Sequence, residues 1–171
     1  MLVSKLNAKK YPCLALDAAL KWLNPIGSCD LKGVDPVFIG RLGALCEFIG
    51  KKADLNSGKR DHAKQISLFI GAGGHKNADG TYEGGSGKVA RPGTSRHEFG
   101  LAVDTASLWL KELNKVEASK LQKTLNKFGL HKPLTKGNKK TLLEDWHIEP
   151  IETYGVQYNA VAMGKLAPTV K

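Results

Sequence analysis

The chain has 171 residues, 42% hydrophobic and 25% charged, an ordinary balance for a soluble globular domain and enough length to bury a core. No run of about 18 apolar residues occurs, so no helix of the kind that spans a membrane is expected. A net charge of +10, with seven lysines from Lys120 to Lys140, implies attraction to anionic polymers; 7% aromatic content leaves little for base stacking, and no nucleic acid partner is expected.

In chain order, Leu14, Ala18, Ala19, Trp22 and Leu23 fall on one face of a first helix, which Pro25-Ile26-Gly27 ends. The apolar stretch 13–23 is interrupted by Asp17 and Lys21, so no export signal is expected. Asp35-Pro36 reads as a cap and first-turn pair, after which Phe38, Leu42, Leu45 and Ile49 repeat at helical spacing. A short strand over 53–56 and a third helix over 60–70 follow. From Gly71 to Gly93 glycine recurs, with Lys76, Tyr82, Glu83 and Lys88 between, which predicts a long mobile loop. A strand spans 100–105. Ala118, Leu121, Leu125 and Phe128 mark a fourth helix stopped by Gly129, and a last strand covers 146–148. The expected fold is α+β: a single domain over 1–171 with a small antiparallel sheet carrying the chemistry and about four helices packed on it. Residues 156–171 form a weakly patterned tail. Cys13, Cys29 and Cys46 are odd in number with no close pair, which argues against disulfides and for synthesis in a reducing compartment.

Two stretches concentrate the chemistry: Ser95-Arg96-His97-Glu98-Phe99-Gly100-Leu101-Ala102-Val103-Asp104, and Glu144-Asp145-Trp146-His147. A catalytic zinc takes three protein ligands from His, Asp, Glu or Cys and keeps a fourth position for water, whose pKa falls to about 7. His97, Asp104 and His147 fit those three positions. Glu144 precedes His147 by three residues, so a tight turn or strand end brings both to one metal, with Glu144 as the general base. Spacing alone leaves Asp145 and Glu149 open for that role.

The order and identity of these residues resemble the VanY-type D-alanyl-D-alanine carboxypeptidases and their relatives, the L-alanyl-D-glutamate endopeptidases of phage endolysins. The family pattern is Ser-x-His-x-x-Gly-x-Ala-x-Asp, then Glu-x-Trp-His, with an upstream Ser-Gly-x-Arg turn and a Gln. Here these are Ser95 to Asp104, Glu144 to His147, Ser57-Gly58-Lys59-Arg60 and Gln65. The resemblance covers about 38–150 and implies one zinc ion on His97, Asp104 and His147, Glu144 as base, and Arg60 steadying the oxyanion. A guanidinium suits that last task because it is always charged and donates two parallel hydrogen bonds. Ser95, Gln65 and Trp146 are candidate substrate contacts; Ser95 could instead hold His97, and Trp146 could pack in the core. Lys59 stands where relatives often carry an aromatic residue, and Asp145 where many carry proline. His62, His75 and His131 fall outside the pattern.

The function expected from the resemblance is a zinc peptidase of peptidoglycan stem peptides, foremost a bacteriolytic phage-type endolysin cutting the L-alanyl-D-glutamate bond. It would be a monomer, made in the host cytoplasm without a signal peptide and acting on the cell wall without membrane insertion. The alternative is a D-alanyl-D-alanine carboxypeptidase, which needs a cation for the free carboxylate, with Lys88 or Arg91 as candidates. A third reading is a non-catalytic metal-containing binding domain, against which Glu144 argues.

Overall fold

A computed structural model describes residues 6–106, 109, 118–134 and 144–154, and the backbone at 158–159 and 169–170. The main sheet has five strands in the order β1 (Leu23–Pro25), β2 (Ala53–Ser57), β5 (Val103–Thr105), β7 (His147–Pro150) and β6 (Leu130–His131), and its site-bearing centre is short because each strand contributes only two to five residues.

Helix α1 covers Leu16–Leu20 and is shorter than the apolar spacing predicts. The reason is a competing partner. Leu23–Pro25 forms β1, an edge strand paired in parallel with β2 at Ala53–Ser57, and the Ala53 N–H donates to the Trp22 carbonyl at 2.9 Å. Proline is tolerated there because an edge strand leaves one row of backbone donors unused. The sheet is therefore mixed, with this one parallel pair beside antiparallel partners.

Helix α2, Pro36–Ile49, starts where its chemistry dictates. The Asp35 carboxylate accepts the N–H groups of Val37 and Phe38 at 2.9 and 3.1 Å, and Gly50 closes the helix. Burial of α2 extends almost all round: Phe38, Ile39, Leu42, Leu45 and Cys46 join Leu55, Val103, Leu130 and Ile148 in one core. Its other side receives the N-terminal segment through Gly40 and Gly43, where a side chain would strike Cys13 and Ala19. All three cysteines are free, and burial pushes the Cys46 thiol up to about 12.

Helix α3, His62–Gly71, begins two residues later than predicted because Asp61 caps it, accepting the Lys64 N–H at 2.7 Å. The expected long loop after it contains a hairpin instead. Strands β3, Gly74–Lys76, and β4, Tyr82–Gly84, pair antiparallel across a turn at Asn77 and Gly80, and the Tyr82 ring meets Phe69 edge-on at 6.0 Å. Helix α4, Ala118–Lys127, buries Leu121 and Leu125. It leads into β6, Leu130–His131, a strand too short to be read from pattern. Strand β5 is Val103–Thr105 and β7 is His147–Pro150. Two residues each at Tyr158–Asn159 (β8) and Thr169–Val170 (β9) pair within the tail; the rest of 155–171 and part of the lysine-rich stretch, 135–143, lie outside the described residues. Lys132 from that stretch is buried and pairs with Asp145 at 3.7 Å, so it does not belong to a solvated basic face. Among the described residues no helix is long and apolar enough to cross a membrane.

One buried cation ties the two ends of the described chain together. Arg41 on α2 is fully buried, bidentate with Glu152 at 2.8 and 2.8 Å, donates to the carbonyls of Gly129 and Asn7, and lies 4.7 Å from the Tyr11 ring centroid. Burial alone would raise the Glu152 carboxyl; the Arg41 hydrogen bonds outweigh it and hold the group below the usual glutamate range. Because the folded-state pKa is depressed, this stabilisation is present above the ordinary glutamate value of about 4.3 and is lost as pH falls through the depressed one. Arg41→Met should therefore cost about 3–5 kcal/mol in chemical denaturation at neutral pH, with the gap to wild type narrowing in acid. An equal gap at both pH values would show that the pair contributes nothing.

Candidate metal centre

Three local devices assemble the site. The first is the turn at 57–60, where β2 ends. Gly58 packs against the Asp30 carbonyl with no room for a Cβ, and its own carbonyl accepts from His97 Nδ1 at 2.8 Å. The second is a short 3-10 helix, Arg96–Phe99, which carries His97 and stops at Gly100. Gly100 has φ +69° and abuts the Gly33 carbonyl, so both conformation and space require glycine; the chain then reverses into β5. The third is the β5/β7 register, which sets Asp104 directly opposite His147. A shift of one residue would send either side chain to the other face of the sheet.

The three candidate ligands converge. His97 Nε2 lies 3.2 Å from Asp104 Oδ2, His147 Nδ1 lies 3.0 Å from Asp104 Oδ1, and one donor atom from each falls within 4.8 Å of the others. Each ring nitrogen facing away from the centre is already engaged. His97 Nδ1 is held by the Gly58 carbonyl, and His147 Nε2 by Glu149 Oε1 at 2.9 Å. Histidines that bind metals show this arrangement, because the outer hydrogen bond fixes the tautomer and leaves the inner lone pair for the ion. The electrostatics point the same way. Burial raises the Asp104 carboxyl, yet hydrogen bonds from His147 and His97 hold it well below the carboxylate range. Burial disfavours a charged His147, yet Asp104 and Glu149 push it up to about 9. The cluster thus favours positive charge at its centre, and two imidazoles plus one carboxylate with room for water make a donor set suited to catalytic zinc.

Glu144 stands beside this group, its Oε2 3.8 Å from His147 Nδ1, in a turn closed by the His147 N–H donating to the Glu144 carbonyl at 3.2 Å. Burial raises its carboxyl above the ordinary glutamate value. The two alternatives left open by spacing are placed elsewhere. Asp145 is mostly exposed and faces Lys132, and Glu149 is committed to His147 and to the Thr153 hydroxyl, which donates at 2.6 Å. The His147–Glu149–Thr153 chain is a feature the motifs did not reveal; the alternation of a strand, which puts residues two apart on one face, is the signal that could have found it.

A cavity of about 630 Å³ opens over the centre, and its walls include Arg60, Lys88, Ser95, Glu144, Trp146 and all three candidate ligands. Arg60 Nη2 is 4.0 Å from Asp104 Oδ2. Ser95 is buried on the wall, its N–H donating to Glu98 Oε2 at 3.2 Å. Glu98, unremarked in the motif, is buried and also accepts the Gly93 N–H and bonds His62, which pins the wall at 93–95. Trp146 is 45% exposed and belongs to the wall rather than the core; its carbonyl accepts from the Thr105 N–H and hydroxyl. Gln65, expected to touch substrate, is instead fully buried behind the wall, between Arg60 and Ala90. Of the two candidate cations for a carboxylate, Lys88 lines the cavity and Arg91 does not. His75 lies on β3 away from it, and His131 packs edge-on to Tyr154, 3.9 Å from Glu149.

Residues 39–151 match the family model "VanY: D-alanyl-D-alanine carboxypeptidase". No curated protein matches the chain. Among solved structures it is similar to a mutant of the vancomycin-resistance D,D-pentapeptidase VanY from a VanB-type resistance cassette, in complex with Zn(II), at 22% identity and TM-score 0.42, over 78% of this chain and 77% of that one. It is also similar to VanYB in complex with D-Alanine-D-Alanine, at 21% identity and TM-score 0.36, over 66% of this chain and 62% of that one. The chain belongs to the VanY family, and His97, Asp104 and His147 are its candidate metal ligands.

Proposed function

We propose that the chain is a D-alanyl-D-alanine carboxypeptidase that removes the terminal D-alanine from peptidoglycan stem peptides. The observation that carries this reading is that His97, Asp104, His147, Glu144, Arg60 and Lys88 share one cavity. The family description names the carboxypeptidase activity, and a cation in that cavity suits a substrate ending in a free carboxylate. The endolysin reading, cleavage between L-alanine and D-glutamate, needs no such cation and takes second place.

In this reading His97, His147 and Asp104 would hold the metal. Bound zinc supplies Lewis acidity and lowers the pKa of water to near neutrality. Glu144 accepts a proton from the attacking water and returns it to the nitrogen of the leaving D-alanine. Arg60 donates to the carbonyl oxygen of the scissile bond as negative charge develops there. Lys88 pairs with the terminal carboxylate, and the exposed Trp146 ring offers an apolar wall to the peptide.

Digestion of purified peptidoglycan, and of a soluble pentapeptide ending in D-alanyl-D-alanine, tests the reading by mass analysis. Free D-alanine is expected from both, abolished by a chelator and restored by zinc. Fragments with a new N-terminal D-glutamate, and no free D-alanine, would replace the carboxypeptidase with the endopeptidase.

A further inference from the structure

Gln65 lies on α3 with its side chain fully buried, and both ends of its amide are used. Oε1 accepts from Arg60 Nη1 at 2.8 Å, and Nε2 donates to the Ala90 carbonyl at 2.7 Å. A guanidinium can only donate and a carbonyl can only accept, so the amide has one workable orientation. The two partners sit on separate parts of the cavity wall. Arg60 faces the candidate ligand Asp104, whereas Ala90 belongs with Lys88 and Val89 to the stretch that follows the hairpin. That stretch is anchored before and after itself, by Ser86 donating to the Ala72 carbonyl and by Gly93 donating to Glu98. Between those anchors, the Gln65 bond to Ala90 ties it to α3.

We propose that Gln65 is a positioning residue: a strut that holds the Arg60 guanidinium and the Lys88–Ala90 wall at a set separation. In the proposed activity, on which the identity of the substrate here rests, that separation matches the scissile carbonyl oxygen to the terminal carboxylate of one D-alanine. A general packing role would not distinguish the two ends of the amide; a strut does.

The test uses zinc-loaded full-length protein and two substitutions. Gln65→Glu keeps the acceptor for Arg60 but cannot donate to Ala90. It should retain most of kcat, raise KM for a D-alanyl-D-alanine peptide by about tenfold, and speed amide hydrogen exchange at 87–92, as expected for loss of one hydrogen bond. Gln65→Met loses both ends and should also lower kcat, by up to about 10²-fold, because Arg60 is displaced. Arg60→Lys covers the case in which a Gln65 variant fails to fold: it should lower kcat and leave exchange at 87–92 unchanged. Equal kinetic losses in the two Gln65 variants, wild-type exchange in Gln65→Glu, or faster exchange at 87–92 in Arg60→Lys would each overturn the strut. Exchange is read without substrate, so it decides the strut even if the protein releases no D-alanine.

Discussion

Glu144→Gln is expected to keep full zinc stoichiometry while kcat for D-alanine release falls by about 10²–10⁴-fold, the range lost when a positioned acid–base group is removed. Glutamine preserves the volume and the turn, which depends on the backbone bond from His147 to the Glu144 carbonyl. It cannot accept a proton. Glu144 is also suited to the role by its surroundings: burial raises the carboxyl, and a base whose pKa lies nearer the working pH is a stronger proton acceptor. Metal content by elemental analysis separates loss of the base from loss of the metal. Wild-type turnover in Glu144→Gln would remove Glu144 from the mechanism and return the question to Glu149, which already bonds both His147 and Thr153.

Arg60→Met should lower kcat by about 10²–10³-fold with a much smaller change in KM, the signature of a donor that acts on the charge developing in the transition state. The guanidinium is well placed to act without reorganising. Gln65 accepts from Nη1, Ser57 Oγ lies 3.3 Å from Nη2, and the backbone N–H of Arg60 donates to the His97 carbonyl at 3.1 Å. Arg60 and the candidate ligand His97 are therefore parts of one hydrogen-bonded unit. A phosphinate analogue of the dipeptide, which carries the tetrahedral charge permanently, should lose affinity for Arg60→Met by a similar factor. Undiminished binding of that analogue would show that Arg60 serves the ground state or the fold instead.

Several elements could be read from local chemistry because local chemistry builds them. Asp35-Pro36 and Gly50 bound α2 through caps that need no distant partner, and the spacing of Leu121 and Leu125 marks the buried face of α4. Other elements depended on partners far along the chain. Leu23 fits a helix by periodicity, yet β2 captures it as a strand. The glycine-rich segment contains a hairpin because Phe69 offers Tyr82 a surface. Residues 130–131 form a strand only because β7 lies beside them.

The sequence by itself determined the inventory of the site: two histidines, an aspartate, a glutamate and an arginine, in an order that identifies the family. Side-chain identity and spacing carry that information directly, since metal ligation and proton transfer depend on particular atoms. Tertiary structure alone decided how the inventory is used. It put Asp104 opposite His147, turned Glu149 toward the far nitrogen of His147, withdrew Gln65 from the cavity and left Lys88 on its wall. These are choices of strand register and of long-range hydrogen-bond partner, and they follow from how distant segments share a core rather than from any local pattern.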